Sequence, residues 1–135
     1  MQSLLDVSCI IITHNGASPA RLPETLKYLS RQDVPDSLQW ELIVVDNASD
    51  DGSAQLCLNL WPETCSGRLR VVSEAQLGQS RARMTGFLES KNPVVIFIDD
   101  DMRVSSDFIR IASEIMSSKP ACALCAGIGE AAYES

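Results

Sequence analysis

Three short apolar runs restrict what this chain can fold into more than any other feature. They are Cys9-Ile10-Ile11-Ile12, Leu42-Ile43-Val44-Val45 and Val94-Val95-Ile96-Phe97-Ile98. Each has strand length, is rich in β-branched residues and lacks the apolar–polar alternation of a strand with one wet face. Runs of this kind suit parallel strands covered on both faces. They centre predicted strands at 7–13, 40–46 and 93–99. Residues 70–73 bring only Val71 and Val72 to bury and read as an edge strand. Residues 121–126 read as a fifth strand.

Helical patterns fall between these runs. Leu22, Leu26 and Leu29 share one face of a predicted helix at 22–30, with Pro23 tolerated in its first turn. A second, at 52–60, follows Asp50 and Asp51 and ends before Trp61-Pro62. A third, at 79–90, contains Ala82, Gly86 and Phe87. A fourth, at 106–118, carries Phe108, Ile111, Ile115 and Met116. Ser105 is its expected N-cap and Lys119-Pro120 its stop. Strict alternation of strand and helix implies βαβ units. The expected fold is α/β: a Rossmann-like three-layer α/β/α arrangement around a mostly parallel sheet. At 135 residues, without repeat or linker, one domain is expected.

Composition narrows the function classes. Hydrophobic residues make up 45% and charged residues 21%, as in soluble globular proteins. Eleven basic against 18 acidic residues give a formal charge of −7, which disfavours nucleic acid as a partner. No run is long enough for a membrane span, and residues 1–6 lack the basic start of a signal peptide. A cytoplasmic protein is expected, with its five cysteines reduced and mostly buried. Cys122-Ala-Leu-Cys125 has redox or zinc spacing. Without a second pair it reads as part of a buried strand.

The polar residues concentrate at the predicted strand ends. In open parallel sheets ligands bind beyond the carboxyl ends of the strands. The first strand ends in Thr13-His14-Asn15-Gly16, the second in Asp46-Asn47-Ala48-Ser49-Asp50-Asp51, and the fourth in Asp99-Asp100-Asp101. The third leads to Gly78-Gln79-Ser80-Arg81-Ala82-Arg83. Three adjacent carboxylates call for a compensating cation, and oxygen ligands favour Mg²⁺ or Mn²⁺. In extended chain Asp99 and Asp101 share a face while Asp100 points elsewhere. A solvated acidic loop is the plainer reading of the same triplet. Asp46 is the first charge after an apolar strand. Asp50 and Asp51 stand where a helix start wants acids, one of them as a cap. Arg81 and Arg83 at a helix start suit phosphate or a solvated face, and Gly78 allows close backbone approach. His14, the lone histidine, reads as a loop or packing residue.

These motifs, in this order over about 95 residues, resemble the family-2, inverting, GT-A-fold glycosyltransferases. Val7-Ser8-Cys9-Ile10-Ile11-Ile12-Thr13-His14-Asn15 is similar to V-S-x-I-I-P-T-Y-N, with Ile12 for proline and His14 for tyrosine. Residues 41–53 are similar to E-I-I-V-V-D-N-x-S-x-D-G-S. Residues 78–86 are similar to G-x-S-x-A-R-N-x-G, with Met84 for asparagine, and residues 96–101 to an apolar strand followed by D-x-D.

The resemblance implies a nucleotide-sugar donor, most simply a UDP- or dTDP-sugar, and a divalent cation, Mn²⁺ or Mg²⁺. The acceptor would be a saccharide, lipid-linked or other hydroxyl. Thr13 and Asn15 would lie against base and ribose, Asp46 would recognise the base, and Arg83 would sit near base or diphosphate. Asn47, Gly78 and Asp100 complete the implied donor-binding set. Asp99 would touch ribose or the metal's waters, and Asp101 would bind the cation. Members of the family carry further chain after the fifth strand, which supplies the acceptor site and the catalytic base. Residues 1–135 are therefore expected to be the donor-binding part of such a domain, truncated at its C-terminus, and the full-length protein could sit peripherally at a membrane's inner face. Neither Glu130 nor Glu134 is assigned as base.

Three other readings compete. A receiver-type signalling module would need an acidic pair after the first strand and a lysine after the fifth. The first strand instead ends in Thr13-His14-Asn15, and no lysine follows residue 126. A D-x-D phosphatase would carry its aspartates after the first strand, with Thr or Val four residues past Asp99, where Arg103 stands. A non-catalytic nucleotide-binding module shares every donor-site feature.

Overall fold

A computed structural model describes residues 3–65 and 67–119. Four strands form one sheet: β1 (Val7–Thr13), β2 (Trp40–Asn47), β3 (Leu69–Glu74) and β4 (Val94–Asp99). Their order is β3-β2-β1-β4, and every neighbouring pair is parallel. Helices α1 (Leu22–Leu29), α2 (Ser53–Leu60), α3 (Gln79–Glu89) and α4 (Phe108–Ser118) alternate with them. The chain runs outward from β1 to β3, then crosses back to lay β4 on the other side of β1. That reversal puts a topological switch point between β1 and β4, where open α/β sheets form their ligand crevice.

The central strands are covered on both faces, as their unbroken apolar runs require. Cys9, Ile11, Leu42 and Val44 pack with Leu22, Leu26, Leu29, Cys57 and Ile109 of the α1, α2 and α4 layer. Ile10, Ile43 and Val45 pack on the opposite face with Ala82 of α3. There α3 comes close at Gly86, where an added Cβ would stand 2.5 Å from Ile10 Cγ2 and 3.1 Å from Val45 Cγ2. β4 departs from the sequence reading. Its Phe97 faces the α3 side yet is 45% exposed, and α3 packs mainly over β2 and β1.

The edge reading of 70–73 agrees with β3, which ends the sheet among the described residues with half-buried valines. One helix start differs. α4 begins at Phe108, and the Ser105 hydroxyl donates to Asp107 Oδ1 (2.7 Å) instead of capping. The Ser105 carbonyl accepts the Phe108 N–H, so a turn precedes the helix and delays it by two residues. The expected fifth strand, Cys122, Cys125, Glu130 and Glu134 lie outside the described residues.

Candidate functional site

A cleft of about 560 Å³ opens at the switch point. Ile12 at the end of β1 and Asp99 at the end of β4 are register partners at its floor. Asn47 from β2, Gly78 and Gln79 from the start of α3, and His14 and Arg21 around α1 supply its walls. Asp100 and Asp101 complete it. Four separate chain segments after strand ends thus converge on one opening.

The three aspartates are not equivalent. Asp99 and Asp101 are exposed, whereas Asp100 is 6% exposed. Strand alternation causes this: Asp99 follows Val95 and Phe97 on the α3 side, and Asp100 follows Ile96 and Ile98 toward α1. The Asp100 carboxylate is satisfied within the protein. It accepts the Thr13 hydroxyl (2.8 Å) and a guanidinium nitrogen of Arg21 that reaches both its oxygens (2.8 and 2.9 Å). These bonds, with the charge of Asp100, raise Arg21 above its usual range. Like charges about 4 Å apart repel by roughly 4 kcal/mol at an effective dielectric of 20, so Arg21 offsets much of the cost of crowding three acids.

Asn47 fixes the opposite wall. It is buried, and its amide donates to the carbonyls of Glu74 (3.1 Å) and Gln76 (2.8 Å), while its Oδ1 accepts the Gly78 N–H (2.9 Å). Gly78 has φ +150°, a conformation that side chains rarely adopt. His14 Nδ1 lies 2.7 Å from the Asn47 carbonyl and donates to it; Nε2 then accepts from the Asn15 amide at 3.3 Å. His14 therefore lines the cleft, where the sequence suggested only a loop or packing role.

The remaining residues read from the sequence lie around the cleft, not in its lining. Thr13 is buried behind Asp100. Asn15 laces two loops: its N–H donates to Ser49 Oγ (2.9 Å) and its Oδ1 accepts the Asp50 N–H (2.9 Å). Asp46 turns to the α2 side of the sheet and accepts the Ser49 N–H (3.2 Å). Asp51 stands just before Gly52, the N-cap of α2, and accepts the Ser53 hydroxyl and N–H at the helix start, and also the Ala17 N–H (3.1 Å). Those bonds, the Ser53 hydroxyl first, hold its carboxyl below the usual range. Arg83 is exposed on α3, while Arg81 lines a second opening with Glu74, Met84 and Leu88. Sequence reading missed Arg21. Nothing local marks it, since its partner is 79 residues away.

Among the described residues, no group of three His, Cys, Asp or Glu side chains is arranged to hold a metal ion by itself. Two exposed carboxylates remain. They fit a cation that binds through one or two protein carboxylates and completes its shell with substrate phosphates and water.

The sheet order and the acid-lined crevice define an α/β protein with an open cleft at the carboxyl ends of its parallel strands. Residues 8–133 match the model of glycosyl transferase family 2, and the chain belongs to that family. It is 33% identical over 97 residues to an undecaprenyl-phosphate 4-deoxy-4-formamido-L-arabinose transferase of Pseudomonas fluorescens, covering 72% of this chain and 28% of that protein. It is 29% identical over 113 residues to a dolichyl-phosphate beta-glucosyltransferase of Trichomonas vaginalis, covering 81% and 34%. A mannosyltransferase from Pyrobaculum calidifontis, solved with GDP-Man and Mn²⁺, superposes with a TM-score of 0.67 at 29% identity, covering 84% and 32%. Residues 1–349 of S. aureus TarS share the fold, with a TM-score of 0.70 at 22% identity, covering 85% of this chain and 33% of that one. The fold is that of the GT-A glycosyltransferases, as the motifs implied. The receiver and phosphatase readings fall away. The chain spans about a third of the length of these relatives.

Proposed function

We propose that the cleft is the donor site of a glycosyltransferase and takes the nucleoside diphosphate of an activated sugar. A divalent cation, Mn²⁺ or Mg²⁺, would be held by Asp99 and Asp101. The observation that carries this reading is the split within the triplet: two exposed carboxylates face the cleft while Asp100 is neutralised behind them. The mannosyltransferase solved with GDP-Man and Mn²⁺ supports a nucleotide sugar and a metal. When bound, the cation would neutralise charge developing on the departing diphosphate.

The chain's own residues supply position. Gly78 brings backbone to the ligand without a side chain in the way, and Asn47 holds that backbone in place. Thr13 acts through Asp100, and Asn15 keeps the loop after β1 against the loop after β2. Asp46 reading the base and Arg83 meeting base or diphosphate are the outer parts of the proposal, because both lie beside the cleft. Transfer would invert the anomeric centre by in-line attack of an acceptor hydroxyl, with its proton passing to a carboxylate. No described residue is assigned that role. A lipid-linked acceptor is supported by relatives named for undecaprenyl-phosphate and dolichyl-phosphate. No helix among the described residues is long and apolar enough to cross a membrane. We place the protein in the cytoplasm, against a membrane where the acceptor is lipid.

A second reading, a nucleotide-binding module without transfer, fits the same cleft, in which no described residue is assigned as the base. Asp101→Asn tests what both readings share. It should abolish Mn²⁺-dependent binding of a nucleoside diphosphate and leave the melting temperature near that of the parent. Unchanged affinity removes Asp101 from the site. Release of free sugar or glycoside from a panel of nucleotide sugars separates the two readings.

A further inference from the structure

Arg21 stands at the N-terminal end of α1, and its side chain is 45% exposed on the cleft wall. Its guanidinium pairs with Asp100, whose side chain is 7% exposed. We infer that Arg21 is a positioning residue that withholds Asp100 from the cation, so that only Asp99 and Asp101 face it.

The geometry for this is local and complete. Arg21 reaches both oxygens of Asp100, and Thr13 donates to Oδ2 from behind. Gly16 closes the cradle: a Cβ there would stand 2.2 Å from Thr13 Oγ1 and 2.8 Å from Asp100 Oδ2. All three aspartates and Arg21 nonetheless border one cleft. Without the guanidinium, Asp100 would be a buried carboxylate with a single neutral donor. Such a charge is costly, and turning toward the cleft would relieve it. Three carboxylates would then hold a cation without help from a diphosphate. Two leave it dependent on phosphate oxygens. Arg21 thereby ties cation binding to nucleotide binding. This inference rests on the proposed donor site.

The probe is Mn²⁺ alone, titrated into the chain and followed by electron paramagnetic resonance and water-proton relaxation. Arg21→Met should bind Mn²⁺ at least tenfold more tightly than the parent, and the bound ion should carry one water fewer. Arg21→Met/Asp100→Asn should return to the parent affinity and water count. Arg21→Lys, which keeps the charge but not the fork, should give a smaller gain in the same direction; it serves if Arg21→Met does not fold. Unchanged or weaker Mn²⁺ binding in both single variants overturns the inference. So does tighter binding with no water lost, which would be charge alone. A merely structural role predicts weaker binding, not tighter. Failure of the parent to bind UDP, dTDP or GDP with Mn²⁺ overturns the donor-site reading instead, whatever Mn²⁺ alone does.

Discussion

The Gly78 N–H lies 2.9 Å from the Asn47 Oδ1, so the end of β2 holds the entrance to α3 across 31 residues of sequence. The same side chain donates to the carbonyls of Glu74 and Gln76. One buried amide thus sets the backbone path of the cleft wall from 74 to 78. Asn47→Ala removes all three bonds and leaves polar backbone groups unpaired. At about 1 kcal/mol per bond, a loss of about 2–3 kcal/mol is expected in urea unfolding. Amide exchange at Gly78 should accelerate even under native conditions. An exchange rate equal to the parent's would mean that the wall is held by something else.

Gly86→Ala sets two effects against each other. Alanine favours a helix by about 1 kcal/mol over glycine. The new Cβ, however, would meet Ile10 Cγ2 at 2.5 Å, within the sheet's buried centre. Ile10 is fully buried, and overpacking costs about 1–3 kcal/mol. Packing should win, with a net loss and a lower melting temperature. A higher melting temperature would show that α3 can lift from the sheet at little cost.

Acid should unfold the protein partly through Glu41. Burial would raise its carboxyl. The Ser8 hydroxyl (2.6 Å), the Lys91 N–H (2.9 Å) and Arg70 (3.1 Å) outweigh burial, and the net position is below the ordinary value near 4.5. A carboxyl depressed on folding contributes stability above its unfolded value and loses it as pH falls through the folded one. Melting temperature should therefore decline as pH drops below about 4.5. Glu41→Gln should start lower at pH 7 and decline less steeply. Parallel declines would remove Glu41 from the acid transition.

The three described cysteines should differ in reactivity. Burial, and then the charge of Asp46, pushes the Cys57 thiol up to about 12; burial pushes Cys9 further in the same direction. The thiolate is the reactive form. Cys65 is only half-buried. Alkylation near pH 8, mapped by peptide mass spectrometry, should modify Cys65 well before Cys9 or Cys57. Equal rates would mean that the α1 and α2 layer opens readily.

Most of the fold was legible because the strands are unbroken apolar runs. β1 was read with its observed bounds, and β2 and β4 to within a residue at one end. The split of the aspartate triplet was legible too, from the period of two. The same period would have put Asp46 with Leu42 and Val44 on the α2 face, and Asn47 with Ile43 and Val45 toward the cleft. Residue type singles out Asp46, whereas strand parity points to Asn47. Other features depend on sheet order. Thr13 meets Asp100 across 87 residues only because β4 returns beside β1. Arg21 reaches Asp100 for the same reason. Phe97 is 45% exposed within an apolar strand run, which no local pattern encodes.

The central claim is that Asp99 and Asp101 hold a cation together with a nucleoside diphosphate. Calorimetric titration of UDP, dTDP and GDP into the chain, first with Mn²⁺ and then with EDTA, tests it most directly. The account predicts that at least one of them binds with Mn²⁺, that EDTA abolishes binding, and that Asp101→Asn does the same. Equal binding in EDTA, or none by a chain that circular dichroism shows to be folded, would contradict it.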